Sequence, residues 1–472
     1  MIIKPLLLTF LLILSSFAQD VKVASYNVEN LFDLKYDGTE YKEYIPNTKS
    51  NWNKTIYNKK LFNISKVIKD MDANIVALQE IESKKALKDL LKHLPTYKYS
   101  SFIKNKQSAI GIAIISQYPI SQTKKLQIDS NRKFIRPIQE VTITIKNKSI
   151  LIFNNHWRSK RAAESHRIEY ALSLQNYLKS LKKSSNYILI GDFNSNYNEF
   201  ETFKNDKKLN DTYGITGINQ VLNTTINKKF VTKNNILTFK KGVHYNLWLE
   251  KPYHKRFSSK FRQEKNTPDN ILLSPSLFSN NNISYQNKSF KVFKPHYLYK
   301  NNKIQRWKTK GKNRVHQGVG YSDHLPIYAT FSTTKKFHNE KSKIKKSITI
   351  SELYDIDTLP NSLRLYNATV IYKHKNSAII KQKNNRAIYI YNVAQNLKLG
   401  NSYDIDVSEI KTYNGLKEIV KIEKSFLKGM NKLSISKSEN RIGHSDFRTF
   451  LYFNSLCIAS TRLASALATN AL

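Results

Sequence analysis

Short apolar runs that stop abruptly at a polar side chain constrain this chain more than any other feature. The sharpest is in residues 186–195, NYILIGDFNS, where Tyr187, Ile188, Leu189 and Ile190 end at Gly191 and deliver Asp192 and Asn194. The run is bounded and too short for a helix, so it predicts a buried strand, and Gly191 allows a tight exit that exposes the polar side chains beyond it. Asp192 and Asn194 are two apart, so in an extended chain both point the same way while Phe193 turns into the core.

The pattern recurs along the chain. Residues 21–27 alternate like a strand and end at Asn27, and 74–78 run into Gln79 and Glu80. Residues 150–153 run into Asn154, Asn155, His156 and Trp157, followed by a basic loop, 158–161. Asp269 precedes the strand 271–273, and Asp323 and His324 precede an alternating apolar run. Further strands are expected at 111–115 and 136–145. Helical spacing of Ile56, Ile64, Val67, Ile68 and Met71 predicts a helix over 54–71. Ser83 reads as the N-cap of a second helix with Leu87, Leu90, Leu91 and Leu94 on one face, stopped by Pro95. A third, about 162–181, carries Ile168, Ala171, Leu174, Leu178 and Leu181 inward. Residues 196–261 and a second insertion reaching Gly320 read as long loops around the site.

Length implies more than one domain at about 150 residues each. Residues 1–18 read as a signal peptide: Lys4, an apolar core over 6–14, then Ser16-Phe17-Ala18, with cleavage after Ala18. The rival reading, a membrane anchor, needs a longer run to span a bilayer. The expected product is exported, periplasmic or extracellular, monomeric and without stable membrane insertion. The single cysteine, Cys457, excludes an intramolecular disulfide. A formal charge of +43 fits a polyanionic partner, nucleic acid or an anionic membrane surface. Lys and Asn are abundant everywhere, as in a genome drifted towards A and T, so the charge alone locates no binding face.

Residues 19–332 form the expected first domain, and 333–347 a Lys-rich linker. Residues 348–425 read as strand after strand without a strong helix, with turns at Lys375-Asn376, Asn384-Asn385, Gly400-Asn401 and Asn414-Gly415, hence a small β-barrel. In the tail, 426–472, no Lys follows Lys437 and Ala, Ser, Thr and Leu take over. It reads either as a frayed helix or as the product of a reading-frame shift.

In order, NVEN, ALQEIE, NNHW, GDFNS, TPDNILLS and YSDHLPI resemble the motifs of the endonuclease/exonuclease/phosphatase superfamily over about residues 21–332. The form NNHWRSKR is most similar to that of its secreted bacterial nucleases. The resemblance implies an α/β fold, a four-layered α/β sandwich of two mixed sheets flanked by helices, with the site at one sheet edge. It also implies a divalent-metal phosphodiesterase.

The residue types agree with that chemistry. Phosphodiester hydrolysis needs an in-line nucleophile, stabilisation of the non-bridging oxygens and support for the leaving oxygen. Glu80 is the expected metal ligand, assisted by Asn27 and Asp323, and oxygen donors without a thiolate point to Mg²⁺, with Mn²⁺ or Ca²⁺ as alternatives. His324 is the candidate general base, its tautomer fixed by Asp269. Asp192 and Asn194 orient the attacking water and hold phosphoryl oxygens, and His156 acts as donor to the phosphate or acid to the leaving group. In pancreatic-type relatives the histidine matching His156 leans on a glutamate from an intervening strand, but residues 96–128 contain no carboxylate. An electrostatic role for His156 is therefore expected.

Arg136, Arg158, Arg161 and Arg167 are candidate substrate contacts, or braces of their loop. The barrel resembles an OB-fold, on which Tyr389, Tyr391 and Tyr413 are either stacking platforms or structural residues. The expected function is Mg²⁺-dependent endonucleolytic cleavage of DNA with little sequence preference. The rivals are a sphingomyelinase-type lipid phosphodiesterase and a non-catalytic nucleic-acid-binding protein.

Overall fold

The computed structural model describes residues 20–430 except 134, 240–241, 253–254, 280–281, 339–346, 358 and 360–361. The expected signal peptide, most of the linker, Cys457 and the tail beyond Met430 lie outside the described residues. The chain divides into two units, Met1–Asn339 and Glu340–Leu472. No helix among the described residues is long and apolar enough to cross a membrane.

The main elements of the first unit are, in chain order, β1 (Asp20–Leu31), α1 (Lys54–Met71), β2 (Ile75–Ile81), α2 (Lys84–Leu91), β3 (Tyr99–Ile103), β4 (Gly111–Ser116), β5 (Ile120–Leu126), β6 (Ile138–Ile145), β7 (Lys148–His156), α3 (Ser165–Ser180), β8 (Tyr187–Asp192), β9 (Tyr245–Asn246), β10 (Asp269–Leu273), β11 (Ser284–Tyr285), β12 (Lys291–Val292) and β13 (Ile327–Ser332). Local signals set the ends. The Asn53 side chain caps α1 by accepting from the Ile56 N–H, and the helix stops at Asp72 in the left-handed region. Ser83 caps α2 through the Ala86 N–H, as its position predicts. The third helix starts at Ser165, later than its apolar spacing implies, because the chain before it is held as a loop by Arg167.

One sheet runs β11-β13-β1-β2-β4-β3, with β12 also on β13, and the other β9-β10-β8-β7-β6-β5. Each is built around a parallel pair, β1 with β2 and β7 with β8, flanked by antiparallel neighbours. Val23, Ile75 and Ile114 of the first sheet meet Val141, Ile152, Ile188, Ile190 and Ile271 of the second in one buried cluster. On the outer faces α1 and α2 cover the first sheet, and α3 covers the second with Trp157, Tyr170 and Phe193. The result is the expected four-layered sandwich, each large core side chain contributing about 1.5–3 kcal/mol by burial.

A polar bolt joins the two sheets. Gln79 Nε2 donates to Asn154 Oδ1 at 2.8 Å, and Asn154 Nδ2 donates to the carbonyls of Leu78 and Ala113 and to Gln139 Oε1. Gln79 and Asn154 are fully buried. A satisfied network of this kind fixes register where an apolar contact would let the sheets slide. Glu80 and His156 lie one and two residues beyond it.

The second unit is a closed five-stranded barrel of β14 (Leu363–His374), β15 (Ser377–Lys381), β16 (Ala387–Ile390), β17 (Asn401–Tyr413) and β18 (Leu416–Met430), joined in the order β14-β15-β16-β18-β17. Its core includes Leu365, Val370, Ile380, Ile388, Ile390, Ile405 and Val407. Asn414 and Gly415, at φ 48° and 78°, make the hairpin turn their pairing predicts. The last strand runs past residue 425 to Met430, and a short helix, Ile350–Tyr354, precedes the barrel. That helix begins with a reciprocal cap between Thr349 and Glu352, a signal present in TISE but too short to show an apolar stripe.

Candidate active site

Both sheets end their parallel pairs at the same edge, and irregular backbone aims the side chains there. Between Asn27↔Gln79 and Leu31↔Ile81, β1 holds three residues and β2 only Glu80, so β1 carries two extra. Glu29, Asn30 and Glu80 have φ of 52°, 67° and 68°. This bulge turns Glu80 out of the alternation. On the other sheet Gly191 has φ +131°, and a Cβ there would collide with the Asn155 carbonyl oxygen, so only glycine fits between two paired strands. Phe193 is fully buried, as expected.

The expected side chains converge. Asn27 Nδ2 donates to Glu80 Oε1 at 3.1 Å and to Asp192 Oδ2 at 3.0 Å, while its oxygen accepts from the Glu29 N–H. Asn27 therefore holds the two carboxylates together across the sheets. Asp192 Oδ1 accepts from the Asn194 N–H at 2.8 Å, and Asn194 Nδ2 donates to the Trp157 carbonyl. His324 Nδ1 is 2.8 Å from Asp269 Oδ2, which also accepts from Ser258 Oγ at 2.6 Å. Ser322 fixes this corner by donating to the Asn27 carbonyl and accepting from the His324 N–H. His156 Nε2 lies 3.6 Å from Glu80 Oε1 and 3.7 Å from Asp192 Oδ2. Its Nδ1 is buried without a hydrogen-bond partner among the described residues. That matches the missing carboxylate noted in the sequence.

Burial and crowding set the charges. Burial pushes the Glu80 and Asp192 carboxyls up, with Asp323 adding to the first and Asp269 to the second. Burial opposes charge on His324, but Asp269, Asp192 and Asp323 outweigh it and hold the imidazole well above its ordinary range. His156 goes the other way: burial, then the charges of Arg136 and His324, keep it well below, hence neutral.

The residues fit a hard divalent cation. Glu80, Asp192 and Asp323 offer only oxygen, and Glu80 and Asp192 are carboxyls whose ionisation burial and neighbouring negative charge oppose, a cost that a cation removes. A second grouping, Asp192, Asp269 and His324, has ligating atoms within 4.8 Å of one another. A positively charged imidazole already bonded to Asp269 is a poor ligand, so the carboxylates are the better donors.

The arginines divide. Arg167 is fully buried, pairs with Glu164 at 2.7 Å and donates to the carbonyls of Arg158, Ser159 and Ala162. It braces the loop, the second of the two roles its sequence position left open. Arg136 donates from Nε to the His156 carbonyl at 2.9 Å and braces the end of β7. Arg158 is half-buried and Arg161 exposed. In the barrel Tyr389 is half-buried, and Tyr391 and Tyr413 are exposed.

Sequence reasoning missed a second group at this edge. Arg306, from the insertion before Gly320, pairs with Glu29 and lies 3.5 Å from Asp323 Oδ2. The Trp307 N–H donates to Glu29, and Lys60 Nζ donates to the Glu29 and Tyr321 carbonyls. Glu29 was visible inside NVEN. Nothing local marked Arg306.

Two face-to-face mixed sheets with carboxylates and histidines gathered at one edge define a class of metal-dependent phosphoesterases. A model of the Endonuclease/Exonuclease/phosphatase family matches residues 22–333, and the chain belongs to that family. Among curated proteins no sequence match is found. Solved structures similar to it include humanised Danio rerio TDP2, with TM-score 0.42 and 12% identity over 66% of this chain and 98% of that one. A family protein from Bacteroides thetaiotaomicron has TM-score 0.41 and 15% identity over 67% and 99%. A mannosyl-6-phosphatase of the same organism has TM-score 0.41 and 17% identity over 66% and 99%.

Proposed function

We propose that this phosphoesterase is an exported phosphodiesterase, an endonuclease that hydrolyses DNA with little sequence preference. The observation that carries the reading is the Asp269–His324 pair set against Glu80 and Asp192, a positioned base beside carboxylates suited to a cation. Asp269 occupies Nδ1 and leaves Nε2 of His324 to take the proton of the nucleophilic water. Asp192, locked by Asn27 and the Asn194 N–H, accepts a hydrogen bond from that water and orients it. His156, neutral and buried, donates Nε2–H towards a phosphoryl oxygen without releasing a proton. Glu80 and Asp323 would hold a divalent cation, which when bound would supply charge neutralisation on the phosphate and support for the leaving oxygen. The net charge of +43 favours a polyanionic substrate over a small neutral one.

The lipid reading needs an exposed apolar hairpin; of the aromatics near Trp248 and Tyr253, Trp248 is fully buried and residue 253 lies outside the described residues. Phe261 is exposed on a hairpin, but between Lys260 and Arg262. Nicking of closed-circular plasmid by the mature chain with Mg²⁺, abolished by chelator and by Glu80→Ala or His324→Ala, is the expected result. Phosphocholine release from sphingomyelin without nicking overturns it.

A further inference from the structure

Beside the active site five lysines come together from two separate segments. Lys265 and Lys294 both lie over the ring of Phe257, each 5.2 Å from its centroid, and Lys294 is also 5.7 Å from that of Tyr299. Lys251 lies over Phe290 at 5.8 Å. Two ammonium groups over one ring is a crowded arrangement, which the negative face of the aromatic offsets only in part. The crowding extends further. Lys251 is held below its ordinary range by burial, with Lys291, Lys255 and Lys294 acting in the same direction; Lys294 is held below by burial, Lys255 and Lys265. The carboxylate that opposes this for Lys251 is Glu250, and it is already engaged, with Lys233 at 2.9 Å and Tyr285 at 2.6 Å.

The place matters as much as the charge. Phe257 directly precedes Ser258, whose hydroxyl is bonded to Asp269. Ser259 pairs with His324 in a single β-bridge and donates to the Asp323 carbonyl. The ring that carries Lys265 and Lys294 therefore belongs to the residue directly before the serine that holds the base's carboxylate. Lys255, Lys265, Lys291 and Lys294 are exposed.

We propose that Lys251, Lys255, Lys265, Lys291 and Lys294, set around Phe257, form a phosphate-tracking surface on which the nucleic-acid backbone lies as it leaves the active site. The proposal rests on the nuclease reading for its choice of polyanion. It turns a diffuse charge into a located one: lysines spread over the rest of the surface bind a duplex weakly, whereas these meet successive phosphates beside the reacting one. Each phosphate deprived of its lysine should flatten the dependence of log affinity on log salt by about 0.9.

The test is fluorescence anisotropy of a labelled DNA duplex with the full mature chain, in chelator, across salt concentrations. Lys255→Gln/Lys291→Gln/Lys294→Gln is compared with Lys182→Gln/Lys183→Gln/Lys207→Gln, which removes the same charge from exposed lysines outside the group. The first variant should lose about tenfold in affinity and flatten the slope by about 2 to 3, and the second should change affinity less than about twofold. Equal effects of the two variants, or no duplex binding by the parent, overturn the proposal. So does loss of binding to phosphatidylglycerol vesicles with duplex binding intact. Plasmid nicking separates the two readings: a parent that nicks while both variants bind alike removes the surface alone. A parent that binds through these lysines yet never nicks removes the nuclease reading and leaves the surface standing.

Discussion

The two sheets repeat one construction and put it to opposite uses. In each, a parallel pair ends at the site edge and an antiparallel neighbour starts there: Asn27, Glu80 and the Asp323–His324 turn on the first sheet, His156, Asp192 and Asp269 on the second. The difference is water. Side-chain exposure is 18% for Glu80, 36% for Asp323 and 13% for His324, against 3% for His156, 3% for Asp192 and 2% for Asp269. The first sheet presents groups that can meet a cation and a substrate directly. The second holds its groups, Asp192, His156 and Asp269, in a buried setting, where low dielectric makes their hydrogen bonds strong. Asn27 and the Asp269–His324 bond stitch the wet edge to the dry one.

On this division the largest effects come from the wet edge and respond to metal. Glu80→Ala and His324→Ala should each lower kcat/KM by about 10³ or more, roughly 4 kcal/mol of transition-state stabilisation. Glu80→Gln should recover part of its rate as Mg²⁺ or Mn²⁺ is raised, whereas His324→Ala should not; plasmid nicking against metal concentration reads both. Equal rescue of the two would merge the roles assigned to them.

Asp269→Asn tests the dry edge through its partner. His324 must be neutral to accept a proton, so activity rises with pH through its raised pKa. Removing the Asp269 charge lowers that pKa, and the acid limb of the rate profile should move to lower pH. The plateau should fall about 10²-fold to 10⁴-fold as the tautomer is freed. An acid limb that stays in place would show that Asp192 and Asp323 alone hold the charge.

Much of this was legible in the sequence, and the limits have physical causes. Strand ends were readable because an apolar run of four or five residues that stops at Asp, Asn or His has few other meanings. Burial of Phe193 followed from period two. The bulge at Glu80 was not readable, since positive φ at a glutamate has no sequence signature, unlike Gly191. Between contacting substrate and bracing its loop, the sequence did not choose for Arg167, because its partner Glu164 lies three residues away inside a stretch that looked like helix. The Glu29 and Arg306 pair spans 277 residues, and no local rule joins them.

The backbone at the two edges gives the next contrast. Gly191→Ala places a methyl against the Asn155 carbonyl at a φ that L-residues avoid, and should cost about 2–4 kcal/mol, read as a fall in urea midpoint. Glu80→Gly relieves a left-handed glutamate and should change stability by no more than about 1 kcal/mol while abolishing activity. The second sheet's turn is a requirement of folding, the first sheet's bulge one of function.

The smallest effect separates stability from catalysis at one dry carboxylate. Burial raises the folded pKa of Asp192 above its unfolded value of about 4, so the folded state resists its ionisation. The stability this group allows is fully present below about pH 4 and is lost as pH rises through the folded pKa. Asp192→Asn keeps the shape and can still meet the Asn194 N–H through its oxygen, but it carries no charge. Its advantage over the parent should therefore be near zero in acid and grow to about 1 kcal/mol towards neutral pH, with activity reduced at least about 10²-fold. Thermal melts at two pH values check it. If the variant is instead less stable at neutral pH, the bond from Asn27 and the nearby positive His324 outweigh desolvation, and the second sheet is held together by its buried charge.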